Sequence, residues 1–152
     1  KLADLLDYIL YETNKNKVPL HREIQHLKDY IELENLRFGN RLIAEISIAE
    51  FSTDIEIPPM LFLPFLENSF KHGKSAEGIL SIKWKLEIIE DQLLFLLKNS
   101  VPARKEILDQ NSGIGLENIQ KRLKYIYGEA YGLEVITTQK SYSVLLKIPI
   151  NF

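Results

Sequence analysis

The sequence predicts an α+β fold: a two-layer α/β sandwich with a mixed, mostly antiparallel sheet, preceded by a helical segment. Three observations carry this expectation. Leu20, Ile24, Leu27 and Ile31 recur at spacings of four, three and four, which is the stripe of an amphipathic helix. From Arg41 onward the apolar period switches to two. After residue 40 the elements read β β α β β loop α β β, with strands in antiparallel pairs and helices between the pairs. That order builds a sheet covered by helices on one face rather than a doubly wound one.

Composition limits the classes of function. The chain has 152 residues, 45% hydrophobic and 26% charged, as in an ordinary globular domain with a little extra. At this size folding buries roughly 70% of the surface of the unfolded chain, enough for a substantial core. A net charge of −2 supplies no global basic field, so nucleic acid is not an expected partner. The absence of cysteine removes disulfides and thiolate metal sites and fits a reducing compartment. No apolar run approaches the ~20 residues of a membrane-spanning helix. The chain begins at Lys1 without a visible signal peptide and reads as a piece of a longer protein.

Each element has its own signal. A first helix is expected over Leu2–Thr13 and a second over Leu20–Phe38, separated by Asn14, Asn16 and Pro19. Gly39 is the expected stop of the second. Its stripe repeats at heptad-like spacing, so it is either a dimer contact or a surface packed on the rest of the chain. Leu42, Ala44, Ile46 and Ile48 alternate as one side of a half-buried strand, and "STDIEIPP" reads as a short second strand. A helix is expected from Pro59 to about Lys74, with Pro58 and Pro59 at its start and Pro64 kinking it or tightening its first turn. Two strands around Glu90–Asp91 form a hairpin, and residues 101–112 read as a loop. "GIGLENIQKRLKYIYG" is helical on Leu116, Ile119, Leu123 and Ile126 and ends at Gly128. "YGLEVITTQ" and "YSVLLKIPI" form a closing hairpin. No repeat or low-complexity segment is present.

Three stretches carry chemistry. In "FLENSFKHG", Asn68, Lys71 and His72 share one helix face, while Phe62, Phe65, Leu66, Ser69, Phe70 and Gly73 occupy the other. An Asn carboxamide oxygen can ligate Mg²⁺, a lysine can neutralise phosphate, and an imidazole can donate a hydrogen bond or pack on a base. A solvated polar helix face is the plainer reading of the same residues. In "NSGIGLEN", Gly113 and Gly115 stand at the beginning of a helix, where free N–H groups and the macrodipole favour an anion, although many such glycines are only caps. In "LLKNSVP", a strand delivers Lys98, Asn99 and Ser100 to its end just before a loop, a place where ligands are often read and where turns also use these residues.

Together "PPMLFLPFLENSFKHG" and, about forty residues later, "SGIGLENIQKRLKYIYG" resemble the ATP-binding domain of sensor histidine kinases of the LytS type. These belong to the GHKL ATPases, which share the Bergerat fold. "VPLHREIQHLKDYIELENLRFGNRL" resembles that family's segment between dimerisation helices and ATPase domain. The resemblance covers nearly the whole chain. It implies residues 1–38 as the end of the dimerisation and phosphoacceptor region, and residues 39–152 as the ATP-binding catalytic domain. It implies ATP and Mg²⁺, with Asn68 as metal ligand and Lys71 and His72 as phosphate and nucleotide contacts. Asn99 falls where many relatives carry the aspartate that reads the adenine amino group. Gly113, Gly115, Leu116 and Asn118 belong to the second glycine box, and residues 101–112 to the ATP lid. Glu67, with Asn68 and Lys71, is a catalytic candidate that polarises an accepting imidazole, although its direction on the helix differs from that of Asn68. Asn118 and Arg122, one turn apart, either support the lid or are structural. The implied partners are the protein's own dimerisation domain, in a homodimer, and the receiver domain of a response regulator. The implied location is the cytoplasmic part of an inner-membrane sensor.

The chain departs from the family pattern in three places. The first glycine box reads Asn99, Ser100, Val101, Pro102 and Ala103, without the aspartate whose charge strengthens the bond to adenine. Leu63 and Pro64 stand where Gln-Pro is frequent, and the lid lacks a phenylalanine-rich box. No segment resembles the phosphoacceptor motif, and His21 and His26 read as ordinary helix residues, so this piece is expected to bind ATP without phosphorylating itself. Two other readings stay open: a degenerate nucleotide-binding or dimerisation module, and a GHKL ATPase or serine-directed kinase.

Overall fold

The computed structural model describes residues 2–7, 10, 14–73, 77–102 and 112–151. Helix α1 covers Leu2–Asp7, and the expected continuation to Thr13 falls on residues 8, 9 and 11–13, outside the described residues. A two-residue strand, β1 (Val18–Pro19), leads directly into α2 (Leu20–Phe38), which has the bounds its stripe predicts. Gly39, at φ +56°, ends α2, with its N–H on the carbonyl of Asn35. A 3₁₀ turn at Gly39–Arg41 follows.

The main sheet has the order β2–β4–β5–β7–β6, built from Leu42–Ile48, Leu80–Ile89, Gln92–Ser100, Ser141–Pro149 and Gly132–Thr137. All neighbouring pairs are antiparallel except β2 with β4. The expected hairpin of the first two strands is therefore corrected. The strand β3 (Glu56–Ile57) leaves the main sheet and pairs with β1, while β2 runs parallel to β4. Parallel neighbours need a crossover, and helix α3 (Leu63–His72) lies in the chain between β2 and β4 to supply it. As an edge strand, β2 exposes Ala44 and Ile46 on the side expected to be half-buried.

Helix α3 also starts later than expected. Met60 adopts φ +54°, which breaks any helix beginning at Pro59, and Pro64 lies in the first turn of α3, where its missing N–H costs nothing. The last helix, α4 (Ser112–Tyr127), stops at Gly128 with φ +59°. The turn between β4 and β5 falls at Glu90–Asp91, as the sequence indicates.

One hydrophobic cluster joins the two layers. The inner sheet face contributes Leu80, Ile82, Trp84, Leu86, Leu93, Phe95, Leu97, Val144, Leu146 and Ile148, and α3 and α4 pack into the same cluster. Phe95 is its aromatic centre: it stacks on Phe62 at 4.5 Å and lies about six ångströms from Phe65 and Trp84. Leu20, Ile24, Leu27 and Ile31 are buried in this cluster too. The α2 stripe is thus covered inside the chain, and the reading of it as a dimer contact is corrected: apolar side chains already removed from water have no further area to bury against a partner. Phe70 of α3 sits between Tyr30 and Phe38 of α2, with centroids 5.6 and 5.7 Å away. Among the described residues, no helix is long and apolar enough to cross a membrane.

A polar clasp fixes the segment before α3. Glu23, on the buried stripe of α2 and 1% exposed, accepts the N–H of Met60 at 3.0 Å and that of Leu61 at 2.9 Å. From the other side, Arg122 of α4 donates to the carbonyl of Met60 at 2.8 Å and to that of Pro59. A buried carboxylate survives desolvation only when its lone pairs are matched, and two adjacent N–H groups do this here. Replacing Glu23→Gln puts an NH₂ group against a backbone donor. The variant is expected to lose about 2–3 kcal/mol of stability in urea unfolding followed by the fluorescence of Trp84, the single tryptophan.

Candidate functional site

The polar face of α3 forms because the helix must bury its other side. Leu63, Phe65, Leu66, Ser69 and Phe70 face the core, which leaves Asn68 half-buried and Lys71 and His72 exposed. Asn68 lies against a second segment. A Cβ added at Gly115 would lie 3.6 Å from Asn68 Oδ1 and 3.7 Å from its Nδ2. The first turn of α4, whose N–H groups have no partner within the helix, is therefore brought against the Asn68 amide, and only hydrogen stands on Gly115 between them.

This gap tests whether a hydrated divalent cation and a phosphate group suit the residues present. The donors are an amide oxygen and helix-terminal N–H groups, a set that suits a hard cation bridged to an anion. Among the described residues no cluster of three or more His, Cys, Asp and Glu side chains could hold a metal. A Mg²⁺ ion here would take most of its ligands from water and substrate oxygens, which is its usual habit. Leu116 is half-buried against the core and Asn118 is exposed. Arg122, a candidate lid support, instead holds the Pro59–Met60 carbonyls. Residues 103–111 of the expected lid lie outside the described residues.

Glu67 faces a different neighbour. It lies near Tyr30 of α2, whose hydroxyl is pushed up to about 12, first by burial and then by the negative charges of Glu34 and Glu67, against the opposing effect of Arg37. Partial burial also raises the Glu67 carboxyl above the usual carboxylate range. Its direction thus differs from that of Asn68, as the helical turn between neighbours requires.

The strand end forms a second polar cluster. Period two places Asn99 on the core face of β5, in phase with Leu93, Phe95 and Leu97, and it is 3% exposed. Ser69 Oγ donates to Asn99 Oδ1 at 2.9 Å, and Asn99 Nδ2 donates to the carbonyl of Ser100 at 2.8 Å. Ser100 Oγ donates to the carbonyl of Gly73 at 2.7 Å and accepts the N–H of Ser81 at 3.0 Å. Tyr142 stands opposite Asn99 in the β5–β7 register, its hydroxyl raised by burial. Gly73 closes this corner. A Cβ there would fall 2.4 Å from the Ser69 carbonyl, 2.6 Å from Leu80 and 2.8 Å from Asn99 Nδ2.

Sequence reasoning passed over several of these residues. Ser69 and Gly73 both read with the apolar side of the helix, and nothing in their spacing reveals what they touch. Glu23 carried a legible signal, a carboxylate on an apolar stripe between Leu20 and Leu27.

The family model described as histidine kinase matches residues 1–42. Over 98% of this chain the sequence is 32% identical to the sensor protein LytS of Oceanobacillus iheyensis, of which the match covers 28%. Over 87% of the chain it is 29% identical to the sensor histidine kinase BtsS of Escherichia coli, covering 24% of that protein. The chain thus spans about a quarter of the length of these curated relatives. In fold, it superposes on the catalytic domain of the histidine kinase ThkA with a TM-score of 0.65 at 14% identity, covering 88% of this chain and 95% of that one.

Two outcomes test this geometry. Gly73→Ala must displace backbone as well as side chains, so it is expected to cost about 1–3 kcal/mol, read as a lowered urea midpoint. For Glu67, a raised carboxyl penalises the ionised form in the folded chain. Its favourable contribution is present below the ordinary carboxylate range and is lost as pH rises through the raised value. Glu67→Gln should therefore gain on the wild type in melting temperature between acid and neutral pH.

Proposed function

Because the chain belongs to the sensor histidine kinase family of the LytS type, we propose that it binds Mg-ATP and directs the γ-phosphoryl group to a histidine outside residues 1–152, for relay to the receiver domain of a response regulator. Residues 39–152 are the ATP-binding catalytic domain in this reading. Residues 1–38 are the end of the dimerisation and phosphoacceptor region, through which the whole protein forms a homodimer. A cytoplasmic position beneath an inner-membrane sensor rests on the family resemblance.

The observation that carries the reading is the approach of the Asn68 amide to Gly115 at the start of α4. Phosphoryl transfer asks little covalent chemistry of a protein; it needs positioning and charge neutralisation. Asn68 would present its Oδ1 to Mg²⁺. The ion, when bound, supplies positive charge to the phosphate oxygens. The N–H groups around Gly113 and Gly115 would hold the phosphates through the helix terminus. Lys71 would add a point charge and His72 a hydrogen bond or a stacking surface. Asn99 would accept the adenine amino group, and Leu116 and Asn118 would line the nucleotide beyond the glycines. Glu67 would act on an accepting imidazole only if the phosphoacceptor approached along the α2 side, where Tyr30 and Glu34 lie.

Calorimetry with Mg-ATP tests the reading. Asn68→Ala is expected to weaken binding about 10- to 100-fold, the worth of a lost charge-assisted contact. Gly115→Ala separates site from fold. Its Cβ meets only ordinary contact distances and improves helix propensity, so stability should hold or rise while Mg-ATP affinity falls, since the methyl covers the Asn68 amide. ATP binding followed by transfer to a supplied histidine-bearing fragment supports the kinase. Binding that is absent, or indifferent to Asn68, favours a degenerate scaffold.

A further inference from the structure

We propose that Glu23 and Arg122 are positioning residues for the nucleotide: by gripping the segment Pro59–Leu61 they set the gap between Asn68 and the first turn of α4, and with it the Mg²⁺-dependent part of ATP affinity. The inference rests on the nucleotide reading above. It adds that the site depends on the seat of α2, through a residue that makes no contact with the nucleotide in that reading.

Two consecutive peptide planes are held at both edges. In the plane between Pro59 and Met60, the carbonyl accepts from Arg122 and the N–H donates to Glu23. In the plane between Met60 and Leu61, the carbonyl accepts from Arg122 at 2.8 Å and the N–H donates to Glu23 at 2.9 Å. A trans peptide points its C=O and its N–H in opposite directions, so partners on both sides fix its rotation. Fixing two successive planes fixes the dihedrals of Met60 between them, including its positive φ of +54°. The backbone that enters α3 is thereby held by one residue of α2 and one of α4.

This segment launches α3. The helix begins at Leu63, directly after the gripped residues and Phe62, and Asn68 follows in its second turn. In α4, Arg122 stands about two turns beyond Gly115, so the two share one helix face. The guanidinium is thus a strut from the face of α4 that carries Gly115 to the backbone that starts α3. Apolar packing between helices is non-directional and resists sliding weakly, whereas hydrogen bonds to fixed carbonyls resist it by their geometry. Groups that hold a metal-bridged phosphate must stay within about 0.5 Å of their working positions. ATP without metal needs the α4 N–H groups and not Asn68. Loss of the strut therefore falls on the metal-dependent affinity, and the signature of Glu23 and Arg122 is a ratio of affinities.

The test measures ATP binding by calorimetry, with Mg²⁺ and in EDTA, in the wild type, Arg122→Met, Arg122→Lys and Glu23→Gln. Arg122→Met keeps an extended side chain and loses the donors. It should lower Mg-ATP affinity about tenfold, the worth of one hydrogen bond, and leave affinity in EDTA unchanged, so that the ratio narrows by the same factor. Arg122→Lys keeps a charged donor and should recover part of the ratio. Glu23→Gln should narrow it as well, although Glu23 lies on α2. A purely structural role would lower the number of competent sites, read as stoichiometry, and leave the ratio alone. Should Arg122→Met or Glu23→Gln fail to fold, Arg122→Lys and Glu23→Asp make the same comparison with the wild type. Mg-ATP binding that depends on Asn68, with a ratio unmoved by the Arg122 or by the Glu23 substitution, overturns this proposal alone. So does a loss of equal size with Mg²⁺ and in EDTA. A wild type that binds no Mg-ATP, or binds it regardless of Asn68, overturns this proposal and the nucleotide reading together.

Discussion

Three residues of backbone, Pro59 to Leu61, are held by charges from opposite sides, and most of the arrangement follows from that. Glu23 takes the N–H groups of Met60 and Leu61, and Arg122 takes the carbonyls of Pro59 and Met60. Met60 pays no glycine-like freedom for its positive φ; the clasp holds a conformation that an ordinary side chain adopts only under constraint. Once this segment is fixed, the start of α3 is fixed, and so is the direction of its polar face. The same contacts tie α2, which leads in from the upstream region, to α4, whose first turn meets Asn68. Helices that are far apart in the chain are thereby held to one short loop.

The site uses the contrast between two kinds of close approach. At Gly115 the backbone leaves room beside the Asn68 amide, and a methyl group would occupy it without collision. At Gly73 there is no room at all, because the end of α3, Leu80 and Asn99 converge. One glycine leaves open space and the other permits packing. Both stand next to an asparagine, one half-exposed and able to meet an ion, the other buried and already bonded.

Much of this was legible before the structure. Helix α2 has the bounds its stripe predicts, and the β4–β5 hairpin turns where its alternation breaks. The identity of the polar cluster on α3 was visible because local spacing determines which residues share a helix face. The pairing of β2 with β4 was not legible, since alternation shows that a segment is a strand and says nothing about its neighbour. Nor was the fate of the α2 stripe: heptad-like spacing describes an apolar surface equally well whether a second copy or α3 covers it. Pro64 illustrates the same limit at short range, because a proline marks a first turn or a kink depending on where the preceding backbone leaves the helical region.

Periodicity, caps and residue chemistry act over a few positions, so sequence alone indicates where helices and most strands occur and the chemical kinds of group available to a site. Contacts between residues thirty or more positions apart belong to the folded chain: Ser69 on Asn99, Asn68 beside Gly115, Glu23 beneath Met60. These depend on how layers pack and on which buried polar groups must find partners. No local pattern encodes that requirement, because desolvation is imposed by the whole core at once.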